Sequence, residues 1–196
     1  MEKKQKRHVV ISGVGRSGTT FLIHLMTQLG LKTGFRADGV TRHINKASNA
    51  GLEKNVRSPK APYIVKDPIM CDYIDEIVES DNIILEHVYV PMRTLSDAAQ
   101  SRVNISKKGE GKPIPGGMWK TADPDKQEGM LAAQLYKLLV GLGKIDVPVT
   151  FLHFPTIVQD PEYLYQKLSY VLSEVNYDQF LDAFNAVADP SKTFSS

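Results

Sequence analysis

Gly13-Val14-Gly15-Arg16-Ser17-Gly18-Thr19-Thr20 constrains this chain more than any other stretch. The apolar run His8-Val9-Val10-Ile11-Ser12 precedes it and reads as a buried strand. Phe21 to Leu29 follow it and read as a helix closed by Gly30. A strand, a glycine-rich turn and a helix N-terminus form an anion cradle. Amides of the loop and the first helical turn point inward, and the helix dipole favours negative charge there. Gly13, Gly15 and Gly18 permit positive φ and close approach of backbone to a phosphate, while Ser17, Thr19 and Thr20 add hydroxyl donors.

Gly13 and Gly18 stand in register with the nucleotide-binding pattern G-x-x-x-x-G-K-[ST], but Thr19 occupies the lysine position. That lysine reaches the β- and γ-phosphates in nucleoside triphosphate enzymes, so its loss argues against ordinary ATP or GTP hydrolysis. The cation is instead Arg16, inside the loop. The segment resembles the 5′-phosphosulfate loop of sulfotransferases, which use 3′-phosphoadenosine 5′-phosphosulfate. Arg16-Ser-Gly-Thr-Thr20 has the form common in bacterial, Golgi carbohydrate and tyrosylprotein members. The resemblance implies that Gly15, Arg16, Ser17, Gly18, Thr19 and Thr20 hold the 5′ end of this co-substrate, with no metal expected.

Two further segments carry the resemblance. Ile83 to Val90 reads as a strand, and Met92 to Arg102 as a turn and helix. Arg93 and Ser101 match the arginine after a strand, and the serine eight residues on, that hold the 3′-phosphate in the family. An arginine offers a planar fork of donors and a helix hydroxyl adds another. Tyr63-Ile-Val-Lys-Asp-Pro68 resembles the Lys-x-Pro that ends a core strand in many sulfotransferases. By that resemblance Lys66 lies near the transferring group. The same residues admit a rival reading, with Asp67 as the Mg²⁺-binding acid of a kinase. Farther on, Val149–Phe154 reads as a strand and Asp160-Pro161-Glu162 as a capped helix start, a pattern frequent near the end of sulfotransferase domains.

The general base is less defined. Thr41-Arg42 resembles a segment that follows the catalytic glutamate of tyrosylprotein enzymes, but here Val40 precedes it, with Asp38 two residues earlier. Asn49-Ala-Gly-Leu-Glu53 resembles a bacterial Gly-x-Glu variant. Asp38, His43 and Glu53 are the candidates, with Glu53 first and Asp38 second. With Lys66 and Arg16 stabilising charge, Glu53 or Asp38 completes the catalytic set expected of a sulfotransferase.

Strands are expected near 8–13, 62–66, 83–90 and 148–154, and helices near 18–30, 69–79, 94–103, 124–143, 161–174 and 177–187. The alternation predicts an α/β fold, a mainly parallel sheet flanked by helices; the resemblance makes it P-loop nucleoside triphosphate hydrolase-like. One domain over 1–196 suits a chain of 196 residues. Segments 34–61 and 104–123 break the pattern, and the second reads as a mobile loop or a lid. Lys107-Lys-Gly109 and Trp119-Lys120 resemble a late donor-closing motif in the wrong order, which we read as coincidence.

A net charge of +2 gives no footprint for nucleic acid, and no apolar run spans a bilayer. The basic start before an apolar stretch imitates a signal peptide, but Gly13, Gly15 and Arg16 interrupt it. A cytoplasmic protein acting on a small-molecule or carbohydrate acceptor, without nucleic-acid or membrane partners, is the expectation. The lone Cys71 sits among apolar residues and reads as a buried thiol. The acceptor and the oligomeric state are not written in the sequence. A small Mg-ATP kinase and a non-catalytic nucleotide-binding protein are the alternative functions.

Overall fold

A computed structural model describes residues 5–189. Four strands form one sheet: β1 (Lys6–Ile11), β2 (Ile64–Lys66), β3 (Ile83–Met92) and β4 (Val149–His153). They lie in the order β2-β1-β3-β4, and each neighbouring pair is parallel. Parallel strands need crossovers, which here are helical. The helices are α1 (Thr19–Gln28), α2 (Ile74–Val78), α3 (Leu95–Lys107), α4 (Gln127–Lys144), α5 (Thr156–Gln159), α6 (Pro161–Lys167) and α7 (Tyr177–Val187).

Residues of β1 alternate between two cores because strand side chains alternate between faces. Val9 and Ile11 join Leu22, Met26, Leu164 and Phe180 on one face of the sheet. Val10 joins Val65, Val88, Ile74 and Leu138 on the other. Both faces are therefore covered, the usual condition of a parallel sheet. Among the described residues, no helix is long and apolar enough to cross a membrane.

The expected elements appear with shifted ends. The helix expected over 69–79 splits into a 3₁₀ turn at Met70–Asp72 and the short α2, with Tyr73 between them at φ −130. Bonds from Asp72 N–H to the Ile69 carbonyl and from Tyr73 N–H to the Met70 carbonyl span three residues and tighten the chain there. The helix expected over 161–174 stops at Lys167 and gives way to turns. Its start holds as expected, with the Asp160 carboxylate accepting from the Tyr163 amide at 2.9 Å and Pro161 in the first turn.

The segment expected to be a mobile loop, 104–123, is bonded to the body. α3 runs four residues farther than expected, to Lys107. The Ser106 hydroxyl accepts from the Met118 amide at 2.7 Å. The fully buried Gln127 accepts from the Trp119 amide at 2.7 Å and donates to the Trp119 carbonyl at 3.3 Å. Lys120 pairs with Asp72. Within 34–61 the chain makes a 3₁₀ turn at Val40–His43 and a bridge between Ile44 and Gly51.

β1 connects to β2 on one side, while β3 lies on the other. The carboxyl ends of β1 and β3 thus form a topological switch point, where open α/β sheets leave a crevice for ligands.

Candidate functional site

A cavity of about 670 Å³ opens at the carboxyl ends of the strands. Gly15, Arg16 and Gly18, from the loop between β1 and α1, line it. Gly13, Gly15 and Gly18 have φ of 142, 71 and 88, and Arg16 joins them at φ 56. Among the described residues, no amide from Gly13 to Gly18 donates to a backbone carbonyl. A run of left-handed residues with spare amides at a helix start is an anion nest.

Eight of the residues nominated from sequence line this cavity: Gly15, Arg16, Gly18, Thr19, Thr20, Glu53, Lys66 and Arg93. Lys66 ends β2 and is almost fully buried. Its ammonium donates to Thr20 Oγ1 at 2.8 Å, to the Gly51 carbonyl at 2.7 Å and to Glu53 Oε1 at 2.6 Å. Burial pushes the Lys66 pKa down, the Glu53 carboxylate pulls it back up, and Arg16 lowers it further. Glu53 keeps 46% of its side chain exposed, so this ion pair spans buried protein and open cavity. Lys66 and Glu53, nominated on separate motifs, meet.

Arg16 bonds outside the loop. Its Nε donates to Ser101 Oγ at 3.1 Å and its Nη1 donates to the Ser48 carbonyl. Arg93, just past β3, donates from Nη1 to the Arg16 carbonyl at 3.2 Å and lies 5.1 Å from the Phe154 ring centre. Burial lowers the pKa of both arginines; the charge of Arg93 adds to the effect at Arg16, while Asp97 opposes it at Arg93. Desolvated cations crowded together favour an anionic ligand.

Other nominated residues lie elsewhere. Ser101 is buried beneath Arg16, and Ser17 is buried with its hydroxyl unpartnered among the described residues. Asp38 is exposed, pairs with Arg36 at 2.9 Å and is not in the cavity wall. His43 is exposed with its ring against Phe35. Asp67 is almost fully buried, and its carboxylate accepts from the Val56 amide at 2.9 Å and from the Tyr73 hydroxyl. Burial raises its pKa against those bonds. The Asp67 side chain braces the strand end and does not line the cavity. Cys71 is the buried thiol expected, donating to Gln134 Oε1 at 3.0 Å.

Arg102, outside the motifs, also lines the cavity and is only 7% exposed. A signal was present. Arg102 falls four residues after Ala98 and three after Ala99, on the apolar stripe of its helix, where an arginine is out of place. Pro115 and Gly116, likewise outside the motifs, form a further part of the wall with Trp119.

Comparison with solved structures supplies the fold. The chain aligns over its whole length with 85% of the sulfotransferase domain of the Synechococcus PCC 7002 olefin synthase, at 13% identity and a TM-score of 0.52. The chain has the fold of a sulfotransferase domain. No protein-family model and no curated protein matches the sequence. The likeness is therefore one of architecture, and residue roles rest on the geometry of the site.

Proposed function

We propose that the chain is a sulfotransferase that moves a sulfuryl group from 3′-phosphoadenosine 5′-phosphosulfate to a hydroxyl or amine acceptor. The observation that carries this is Lys66, whose ammonium bonds both Thr20 of the anion-binding loop and Glu53 in the cavity wall. It joins a phosphate-type cradle to a carboxylate able to take a proton. The cavity is of the size common for small-molecule sites.

The residues fit the co-substrate by charge and donor type. Amides of Gly13 to Gly18, with Arg16, suit the 5′-phosphosulfate. Arg93, a planar fork of donors in the cavity wall, suits the 3′-phosphate, while the buried Ser101 hydroxyl accepts from Arg16 Nε and holds that side chain in place. When bound, the donor supplies an activated sulfur: the acceptor atom bonds to it, the S–O bond to phosphate breaks, and adenosine 3′,5′-bisphosphate leaves. Lys66 and Arg16 then offset charge growing on the leaving oxygen, in a site that needs no reorganisation to do so. Glu53 accepts the acceptor's proton. Both bonds it receives, from Lys66 and from the Gly51 amide at 3.2 Å, fall on Oε1 and orient the carboxylate.

Two observations weigh against the kinase alternative. Thr19 stands where a kinase loop needs lysine, and the Asp67 carboxylate is committed to Val56 and Tyr73. The test is transfer from sulfur-labelled donor to a panel of phenols, aliphatic alcohols, sugars and amines. Label appearing on any of them, and lost in Glu53→Gln, supports the proposal. Donor binding with no transfer across the panel would leave a nucleotide-binding protein.

A further inference from the structure

Arg102 is a buried charge that the mechanism above does not use. Among the described residues its guanidinium makes no ion pair; its Nη2 donates to the Val14 carbonyl at 2.6 Å and its Nη1 to the Gly117 carbonyl at 2.7 Å. Its Nε is buried without a hydrogen-bond partner among the described residues. Burial, with Arg16 nearby, pushes its pKa down to about 10. A buried cation set against neutral carbonyls and another cation is costly to keep.

Its two bonds fall on two separate chain segments whose neighbouring residues line the cavity. Val14 belongs to the anion-binding loop, and a trans peptide points its N–H opposite to its C=O. Holding the Val14 carbonyl therefore fixes the direction of the Gly15 amide, one of the donors in the nest. Gly15 makes this contact possible, because a Cβ there would come within 2.7 Å of Arg102 Nη2. Gly117 belongs to the segment that supplies Pro115, Gly116 and Trp119 to the cavity wall. Its neighbour Gly116 packs so close to Arg16 that a Cβ would lie 3.3 Å from Nη1. Trp119 follows, with its ring centre 5.4 Å from the Arg102 guanidinium carbon. One rigid planar fork thus bridges the loop and the Trp119 wall, a geometry that a lysine ammonium does not reproduce.

We propose that Arg102 is a positioning residue that sets the Gly15 amide and couples the anion-binding loop to the Gly116–Trp119 wall, so that a phosphorylated ligand held by the loop is sensed at Trp119. This rests on reading the loop as the donor site. Preorganisation of this kind lowers the cost of ordering the loop on binding.

Trp119 is the only tryptophan in the chain, so its emission reports on this wall alone. The intact protein is titrated with adenosine 3′,5′-bisphosphate, following heat by calorimetry and Trp119 emission in parallel, for wild type, Arg102→Met and Arg102→Lys. In wild type the emission should change and saturate with the calorimetric Kd. In Arg102→Met the affinity should fall about tenfold or more, the scale of a lost bond to a charged group. The binding that remains should give heat without the emission change. Arg102→Lys should recover affinity in part and not the emission change, and it decides the matter if the methionine variant does not fold.

A merely structural Arg102 would lower the melting temperature of both variants and leave the emission response to bound ligand intact, which would overturn the proposal. Wild-type heat without an emission change would overturn it equally. If wild type binds no bisphosphate, the donor-site reading fails first. If both variants match wild type in affinity and emission, the assignment of Arg102 alone fails.

Discussion

Replacing Lys66 by methionine keeps an unbranched side chain of similar length and removes the charge. The wild-type ammonium makes three hydrogen bonds, to Thr20, Gly51 and Glu53. Each bond to a charged group contributes about 1.5–3 kcal/mol. Against them stands the cost of desolvating an ammonium that is 2% exposed, several kcal/mol after relaxation. These terms largely cancel. Water can serve the half-exposed Glu53, but the buried Gly51 carbonyl loses its donor, at about 1–3 kcal/mol. The variant should therefore be less stable by about 1–3 kcal/mol in urea unfolding. Sulfuryl transfer, measured on any acceptor active with wild type, should fall by about 10²–10³-fold, the scale for losing one donor to a developing charge.

The pH dependence of stability adds a signed test. Burial holds the folded Lys66 pKa below its unfolded value. Between those two values the unfolded chain binds more protons, so this group makes stability rise with pH through that window. Tyrosines with raised pKa values oppose the rise at the alkaline end, so the quantity to measure is wild type minus variant. That difference should climb with increasing pH towards the unfolded lysine value. A loss above about 5 kcal/mol, or a variant with undiminished transfer, would refute the reasoning and make Lys66 a structural brace.

Asp67→Asn should cost about 1–2 kcal/mol in urea unfolding while leaving bisphosphate affinity within about twofold, because the side chain serves Val56 and Tyr73 and not the cavity; a large loss of affinity would return Asp67 to the site. Gly18→Ala should be more destabilising in thermal melts than Gly30→Ala. Both have positive φ, but only at Gly18 does a new Cβ meet Ile157 at 2.7 Å and Phe154 at 3.1 Å. The Cys71 thiol, pushed up to about 12 by burial, should resist iodoacetamide at neutral pH in the native protein and react after unfolding.

What was legible in the sequence is what backbone geometry writes into residue type. The loop could be read because positive φ at Gly13, Gly15 and Gly18 needs glycine, and the α/β class because apolar runs alternate with helical periodicity. Less legible were features made by tertiary contact. Glu53 and Lys66 are 13 residues apart, and only the packing of 49–53 over the end of β2 brings them together. The Arg93–Ser101 spacing could be read, but not that Arg16 lies on Ser101. Segment 104–123 looks like a free loop by composition, because the bonds from Arg102, Ser106 and Gln127 that anchor it come from flanking helices. Helix ends failed where turns of i to i+3 type took over, at Met70–Asp72 and after Lys167.

The most direct test of the donor site is calorimetric titration with adenosine 3′,5′-bisphosphate, set against ATP with Mg²⁺ and repeated on Arg93→Ala. Saturable binding of the bisphosphate is expected, at least about tenfold weaker in the variant, the loss expected for a charge-assisted phosphate contact. Binding of Mg-ATP with no response to the bisphosphate would contradict this expectation.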